Sequence, residues 1–254
     1  MSLFESEKER LKIKTPIRLI ELFAGVGSQA MALRDIGADF THHRVVEFDK
    51  YCIKSYNAIH GTDFEPMDIR EVKGEDLGIE DTDKYTYIMT YSFPCQDLSV
   101  AGRGAGMKRD SGTRSGLLWE VERLLLECEQ LPQILLMENV VQVHSKSSKN
   151  GHSNLDDFNE WIEFLSRRGY TSWWADLNAK DYGVAQNRKR TFMVSALGEN
   201  LEYKFPTAVP LVKTMNDYLE PVVDEKYYIK NDNASRMLLE LVESGRLEGV
   251  KNAE

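Results

Sequence analysis

The chain has 254 residues, of which 42% are hydrophobic and 29% charged, and its formal net charge is −9. This length can bury a substantial core, and because no apolar run is long enough to span a bilayer we expect no membrane partner. The three cysteines, Cys52, Cys95 and Cys128, are too widely spaced for a disulfide framework or a zinc site, so we expect no metal and a reducing, cytoplasmic location.

Short apolar segments alternate with helical patterns along most of the chain. The apolar segments predict strands at residues 17–22, 44–48, 87–91, 133–137 and 191–196. Apolar residues at helical spacing predict helices at residues 28–36, 115–130 and 154–168, and a short helix at 235–244. Because strands and helices alternate, we expect an α/β fold with a doubly wound, mostly parallel sheet.

The character of the sequence changes beyond Gly198. Pro206, Pro210 and Pro221 interrupt a polar stretch that precedes the short predicted helix. The sequence therefore predicts an N-terminal extension, a main domain and a C-terminal appendage, at residues 1–15, 16–200 and 201–254.

A glycine-containing turn follows the first predicted strand, at residues 23–28. Glycines let the backbone approach a ligand closely, and the N-terminus of the following helix offers free N–H groups. Glu47, at the end of the second strand, is placed to accept hydrogen bonds from ribose hydroxyls, and Asp68 to reach an adenine amino group. Ala30 replaces the third glycine of a dinucleotide motif, which favours a nucleoside cofactor without a pyrophosphate. The alternative is an ordinary tight turn.

A cysteine follows the third predicted strand directly. Pro94 ends that strand and presents Cys95 at its carboxyl end, where open α/β sheets bind their ligands. A thiol in that position can act as a nucleophile, although isolated cysteines are more often small buried hydrophobic residues. The following loop, residues 96–114, has the composition of a mobile lid that contacts phosphate, with four glycines and the cations Arg103, Lys108, Arg109 and Arg114.

Two further segments place charged side chains at strand ends. Glu138 ends an apolar strand, where burial would raise the pKa of its carboxyl and make it a proton donor near neutrality. Arg188 and Arg190 precede the last strand and, as alternate residues of an extended segment, point to one side. Two guanidiniums can hold a phosphate or the carbonyl edge of a base. The alternatives are a surface carboxylate and an exposed basic loop.

The negative net charge argues against a nucleic-acid partner, but the charges are unevenly distributed. Acidic residues crowd into residues 63–83, whereas cations cluster in the loop after Cys95, at residues 144–152 and at residues 188–190. If the three basic segments meet, they form a positive surface on an acidic protein. Otherwise they are three separate solvated loops.

Seven segments together resemble the DNA cytosine-5 methyltransferases in order and approximate spacing. They are FAGVGS, EFD, MDI, SFPCQDLS, GLLW, LMENV and YGVAQNRKR, and they cover residues 16–197. The resemblance implies a Rossmann-like methyltransferase fold, S-adenosylmethionine as cofactor and double-stranded DNA as partner. It also suggests an enzyme of the bacterial or phage restriction–modification type, associated with the nucleoid if the source is bacterial.

The resemblance also implies residue roles. Cys95 would attack carbon 6 of a cytosine flipped out of the duplex. Glu138 would protonate or hydrogen-bond ring nitrogen 3, Arg190 would hold the carbonyl oxygen, and Arg188 would support the loop and Cys95. The implied cofactor residues are Phe23, Ala24, Gly25, Gly27, Glu47, Phe48, Asp68, Ile69, Pro94 and Leu118. The implied DNA-binding residues are Gln96, Ser99, Arg103, Lys108, Arg109 and Arg114.

The resemblance weakens after Val194. Members of the family continue with a variable target-recognition region and two further motifs, whereas residues 201–254 resemble only the entry to that region. Three explanations compete: a truncated gene or fragment, a split enzyme whose second polypeptide carries the recognition region, or an inactive cofactor-binding or regulatory relative. The intact catalytic residues favour the first two. A tRNA cytosine-5 methyltransferase is the alternative enzyme, and a non-catalytic binding module is the alternative class.

Overall fold

The computed structural model describes residues 9–98, 106–109, 111–146, 153–228 and 230–245. Its strands are β1 (Glu9–Arg10), β2 (Ile17–Leu22), β3 (Phe40–Val46), β4 (Thr86–Tyr91), β5 (Ile134–Asn139), β6 (Tyr170–Asn178), β7 (Lys189–Leu197) and β8 (Leu201–Glu202). Its α-helices are α1 (Ser28–Asp35), α2 (Lys50–His60), α3 (Leu118–Glu127), α4 (Asn154–Arg167) and α5 (Asp232–Glu243). None of these helices is long and apolar enough to cross a membrane.

Six strands form one sheet in the order β3-β2-β4-β5-β7-β6. The first four are parallel, while β7 runs antiparallel to both β5 and β6. The predicted doubly wound, mostly parallel α/β sheet is therefore confirmed. Strands β1 and β8 pair as a separate two-stranded sheet.

The strand register aligns the carboxyl ends of the parallel strands. Leu22 of β2 lies opposite Val46 of β3 and Tyr91 of β4, and Tyr91 lies opposite Met137 of β5. Residues that follow these four positions therefore meet at one edge of the sheet. The antiparallel strand β7 begins at that same edge, because its Thr191 lies opposite Asn139 of β5.

Helices cover both faces of the sheet. Alternate strand residues such as Met89 and Leu135 form a large cluster with the apolar sides of α3 and α4, which contribute Leu124 and Trp161 among others. Their sequence neighbours point to the opposite face, where Ile88 packs in a cluster with Ala30 of α1. Both faces are thus apolar, as expected for strands buried within an α/β sheet.

Besides the short strands β1 and β8, the structure has one helix and one strand that the apolar patterns did not predict, α2 and β6. Helix α2 carries mixed polar residues, but its ends are marked by the Asp49 cap, which accepts hydrogen bonds from the backbone N–H groups of Tyr51 and Cys52, and by Gly61 with a φ of 67°. Strand β6 is an edge strand with only one fully buried residue, Tyr170, so it lacks a continuous apolar run.

The bounds of the predicted elements differ by a few residues, and two differences affect the surroundings of the cavity. The second strand was predicted at 44–48 but occupies Phe40–Val46, so Glu47 lies just beyond its end. The helix predicted at 115–130 begins with a 3₁₀ turn at Ser115–Leu117 and continues as α3 to Glu127.

The chain divides into two compact units, Met1–Leu211 and Val212–Glu254. The described part of the second unit contains two 3₁₀ turns and α5, which corresponds to the helix predicted at 235–244 but begins at Asp232. The side chain of Asn231 caps α5 by accepting hydrogen bonds from the N–H groups of Asn233 and Ala234.

Candidate active site

A cavity of about 740 Å³ lies at the edge of the sheet where the strand ends meet. It brings together Cys95, Glu138 and Arg190 with Glu47 and Asp68, which come from segments far apart in the sequence. Its other lining residues include Phe23, Phe48, Ile69, Pro94, Gln96, Arg114 and Arg188 from the predicted set, and Cys52, Met67, Arg70, Ser92, Leu117 and Asn139 besides.

The backbone before Cys95 is fixed by two buried polar side chains. Asn139 Nδ2 donates a hydrogen bond to the Phe93 carbonyl at 3.0 Å, and Ser115 Oγ donates to the Pro94 carbonyl at 2.7 Å. The Cys95 carbonyl accepts from the Leu98 N–H at 3.1 Å. The half-buried Cys95 thiol therefore stands at the cavity wall on a backbone that is held on both sides.

Glu138 lies between two guanidiniums. Its Oε1 is 3.1 Å from Arg190 Nε and 3.7 Å from Arg188 Nη2. The antiparallel pairing of β5 with β7 produces this arrangement, because it brings the start of β7 beside the end of β5. Asn178 supports it further, since its Oδ1 accepts the backbone N–H of Arg188 at 3.0 Å. A carboxylate and two guanidiniums thus face the same part of the cavity.

Glu47, which directly follows β3, connects the glycine turn to the end of that strand. Its two carboxylate oxygens accept hydrogen bonds from the N–H of Gly25 at 3.0 Å and of Asp49 at 2.9 Å. The turn needs left-handed backbone at Phe23, Gly25 and Gly27, with φ of 57°, 56° and 79°. A Cβ on Gly25 would meet nothing within 4 Å, so space is open beside the turn.

Asp68 also lines the cavity and is paired with a neighbouring arginine. Hydrogen bonds from the Arg70 side chain hold the pKa of Asp68 below its ordinary value, although partial burial opposes them. The carboxylates of Glu47, Asp49 and Asp68 favour a ligand with hydroxyl or amino donors over a pyrophosphate. With the apolar walls of Phe23, Ile69 and Leu117, this half of the cavity fits a nucleoside.

Several predicted cofactor residues do not line the cavity. Leu118 is completely buried in the core, and its neighbour Leu117 faces the cavity instead. Ala24 is also buried and packs against Val45 and α2. Gly25 and Gly27 shape the turn through their backbone.

The predicted DNA-binding residues have different placements. Gln96 and Arg114 line the cavity, and Arg114 Nη1 lies 3.3 Å from Gln96 Oε1. Lys108 is exposed. Arg109 forms ion pairs with two helical carboxylates, described below. Ser99 and Arg103 lie outside the described residues.

Two of the three basic segments meet at the cavity. Cations of the loop after Cys95 and of residues 188–190 line one cavity, through Arg114, Arg188 and Arg190. The third segment, residues 144–152, is described only to Lys146. In the described parts of the chain, no group of three or more histidine, cysteine or acidic side chains is arranged to hold a metal ion.

Sequence patterns did not identify the residues that support the Cys95 loop. Asn139 follows Glu138 at the end of an apolar strand, and a buried polar residue there was the available signal. Ser115 gave no signal, because its partner carbonyl is 21 residues away in the sequence. Arg70 was visible only as one of few cations in an acidic region.

The cavity and the fold agree with the comparisons to known proteins. A model of the C-5 cytosine-specific DNA methylase family matches residues 17–245, and the chain therefore belongs to that family. The type II methyltransferase M2.ScrFI of Lactococcus lactis subsp. cremoris is 36% identical over 86% of this chain and 72% of that protein. The orphan methyltransferase M.SssI of Spiroplasma monobiae is 32% identical over 85% of this chain and 68% of that protein.

Solved structures share the same fold at low sequence identity. The Dnmt2 methyltransferase of S. pombe superimposes with a TM-score of 0.65 at 19% identity, over 89% of this chain and 66% of that chain. The Entamoeba histolytica methyltransferase EhMeth gives a TM-score of 0.65 at 17% identity, over 90% of this chain and 66% of that chain. The chain thus spans slightly less than two thirds of the length of these two proteins.

Proposed function

We propose that the chain transfers a methyl group from S-adenosylmethionine to carbon 5 of cytosine in double-stranded DNA. The observation that supports this proposal is a single cavity that holds Cys95, Glu138 and Arg190 together with Glu47 and Asp68. A cysteine nucleophile in one cavity with a carboxyl group and a guanidinium suits covalent activation of a base. The carboxylates of Glu47 and Asp68 suit a nucleoside cofactor.

In this proposal the Cys95 thiolate attacks carbon 6 of a cytosine that has left the duplex stack. The electron pair of the carbon 5–carbon 6 double bond then becomes available at carbon 5, while ring nitrogen 3 takes a proton from Glu138, which enters the reaction as the carboxylic acid. Arg190 holds the carbonyl oxygen and stabilises the charge that develops there. Arg188 supports the position of Glu138, from which it lies 3.7 Å.

S-adenosylmethionine, when bound, supplies the methyl group that bonds to carbon 5, and the electron pair of the broken bond stays on its sulfur. Carbon 5 then loses its proton to water, the double bond reforms, and the bond to Cys95 breaks to return the thiolate. Glu138 recovers the nitrogen 3 proton. Every group of the chain is thereby restored for another turnover.

The residues present fit the cofactor. Glu47 would accept hydrogen bonds from the ribose hydroxyls and Asp68 from the adenine amino group, with Phe23 and Ile69 against the ring system. Arg114 and Gln96 would contact the DNA beside Cys95. A restriction–modification or phage role in the cytoplasm accompanies this proposal. A second polypeptide with a recognition region stays a prediction from the sequence.

The proposal is tested with DNA in which 5-fluorocytosine replaces cytosine. Fluorine does not leave carbon 5 as a cation, so after methyl transfer the bond to Cys95 persists and a complex that survives denaturation accumulates. We expect this complex for the wild-type chain with S-adenosylmethionine, and none for Cys95→Ser. Cys52→Ser is the matched control, because Cys52 lines the same cavity and has no role in the proposed chemistry.

The same assay separates the alternative substrates. A complex with 5-fluorocytosine tRNA and none with DNA would assign the activity to RNA. No complex with either nucleic acid would contradict the proposed enzyme. DNA of mixed sequence provides many cytosine contexts, so no target sequence has to be assumed.

A further inference from the structure

A buried carboxyl group lies beneath the glycine turn, away from the proposed chemistry. Glu21 belongs to β2 and is completely buried. Its Oε2 accepts a hydrogen bond from the Tyr56 hydroxyl at 2.5 Å, and its Oε1 accepts one from the Ala30 N–H at 3.3 Å. Burial raises the pKa of Glu21, and these two hydrogen bonds oppose that rise. A buried carboxyl is costly unless it is hydrogen-bonded, so both contacts matter to its position.

Tyr56 extends this contact to two more elements. It is completely buried in α2, and its oxygen also lies 2.6 Å from Nδ1 of His42 on β3. Because the Tyr56 hydroxyl donates to Glu21, we assign the proton of this second bond to His42 Nδ1. Glu21, Tyr56 and His42 therefore connect β2, α2 and β3 by hydrogen bonds.

His60, the last residue of α2, contacts the turn itself. Its Nε2 lies 3.0 Å from the Val26 carbonyl, to which it donates, and its ring lies 4.4 Å from the Tyr56 ring between centroids. A Cβ added to Gly27 would lie 2.4 Å from His60 Nε2 and 2.5 Å from Tyr56 Cε2. The backbone of the turn thus rests directly on these two rings, and only glycine fits at position 27.

We infer that Glu21, Tyr56 and His60 are positioning residues that hold the glycine turn in the shape required for cofactor binding. Phe23 adopts a left-handed backbone conformation in this turn, although it is not a glycine. Such a conformation persists only where the surrounding contacts hold it in place. The turn also sets the place of Glu47, because the Gly25 N–H donates to that carboxylate. The inference rests on the proposed use of S-adenosylmethionine and adds residues that do not contact it.

The test compares Tyr56→Phe, which removes both hydrogen bonds and keeps the ring, with Tyr170→Phe. Tyr170 is a matched control, since it is a buried tyrosine whose hydroxyl donates at 2.6 Å to the Pro132 carbonyl, in another part of the sheet. We expect Tyr56→Phe to weaken S-adenosylhomocysteine binding in calorimetry by about fivefold or more, the scale of one or two hydrogen bonds. KM for S-adenosylmethionine should rise while kcat changes little.

A second pair of variants tests the contact to the turn. His60→Ala should weaken S-adenosylhomocysteine binding, and His60→Gln, whose amide N–H can still reach the Val26 carbonyl, should recover part of it. Binding of wild-type strength in both Tyr56→Phe and His60→Ala would overturn the inference. A His60→Gln variant no better than His60→Ala would overturn the role of the hydrogen bond to Val26.

Amide hydrogen exchange separates this inference from the proposed function. Without any cofactor, Tyr56→Phe should speed exchange at residues 24–30 and leave helix α4 unchanged, whereas Tyr170→Phe should leave residues 24–30 unchanged. If the wild-type chain bound no S-adenosylhomocysteine, the proposed cofactor would be wrong, and the exchange rates would still decide the positioning role. Unchanged exchange at residues 24–30 in Tyr56→Phe would contradict it.

Discussion

At the scale of single residues, the position of the Cys95 thiol depends on side chains that have no chemistry of their own. Asn139 and Ser115 hydrogen-bond the carbonyl groups of Phe93 and Pro94, so the strand end cannot rotate the thiol away from Glu138 without losing a buried contact. Leaving a buried carbonyl without a hydrogen bond costs free energy, and this cost opposes movement of the backbone before Cys95.

Ser115→Ala should slow methyl transfer and leave cofactor binding intact. One hydrogen bond stabilises by about 0.5–1.5 kcal/mol, so a single-turnover rate about 2- to 12-fold lower is expected if the contact acts on the reacting geometry. Affinity for S-adenosylhomocysteine should stay at the wild-type value. Single-turnover transfer from tritiated S-adenosylmethionine measures the rate.

Ser195→Ala is the control for that prediction. Ser195 is also completely buried, and its Oγ lies 2.8 Å from Ser172 Oγ, in strands β7 and β6. It should lose a similar amount of stability and keep the wild-type rate. An equal slowing in both variants would attribute the effect to general destabilisation.

The placement of single residues was predictable from the sequence where local rules apply, whereas their roles came from the family resemblance. Pro94 ends a strand, so Cys95 had to lie at a sheet edge, and the alternate spacing of Arg188 and Arg190 placed them on one side. Leu118 shows the limit, since helix rotation puts Leu117 at the cavity and Leu118 in the core. The side chains that hold the Cys95 loop bond across 21 and 46 residues, which no local pattern contains.

At the scale of elements, residues 106–109 of the loop after Cys95 are fastened to two helices. Arg109 pairs with Glu122 of α3 and with Glu160 of α4, at 2.7 Å for the latter, and its guanidinium lies 3.7 Å from the centre of the Trp119 ring. Trp119 Nε1 also donates to the Met107 carbonyl at 2.7 Å. Through these contacts Arg109 holds its part of the loop against α3 and α4.

Arg109→Ala and Arg114→Ala should therefore differ in DNA binding. Each phosphate contact adds about 0.9 to the slope of log affinity against log salt concentration, so Arg114→Ala should reduce that slope by about 1. Arg109→Ala should leave the slope unchanged and lower the melting temperature, because its charge is already paired. Fluorescence anisotropy over a salt series measures the slope, and a reduced slope in Arg109→Ala would make that residue a phosphate ligand instead.

Elements were predictable where the apolar pattern was continuous, as for β2, and were missed where burial is partial. Helix α2 shows this, because only Ile53 and Tyr56 are fully buried in its eleven residues. Its signals were the Asp49 cap and Gly61. The omission mattered, since α2 supplies Cys52, Tyr56 and His60 to the surroundings of the glycine turn.

At the scale of the whole molecule, each described residue that lines the cavity belongs to the unit that ends at Leu211. The second unit, from Val212, contributes an exposed helix α5 with no buried residue. Binding of the cofactor should therefore be a property of the first unit alone.

Removal of the chain after Leu211 should leave the affinity for S-adenosylhomocysteine within about twofold of the full chain, because changes at distant, independent sites are additive. Calorimetry on both proteins measures this, and the thermal unfolding of each checks that the shortened protein is folded. A large loss of affinity in a folded shortened protein would show that the second unit supports the cavity.

The strand order also fixes which residues of the proposed site join the sheet last during synthesis. Among the described strands, β6 lies at the edge of the sheet and pairs with β7, and β7 lies between β5 and β6. A growing chain that has left the ribosome only as far as residue 178 therefore already carries Cys95 and Glu138, while β5 and β6 have unpaired edges. Arg188 and Arg190 arrive with the strand that closes the sheet. A nascent chain should therefore gain the proposed activity only after β7 has paired.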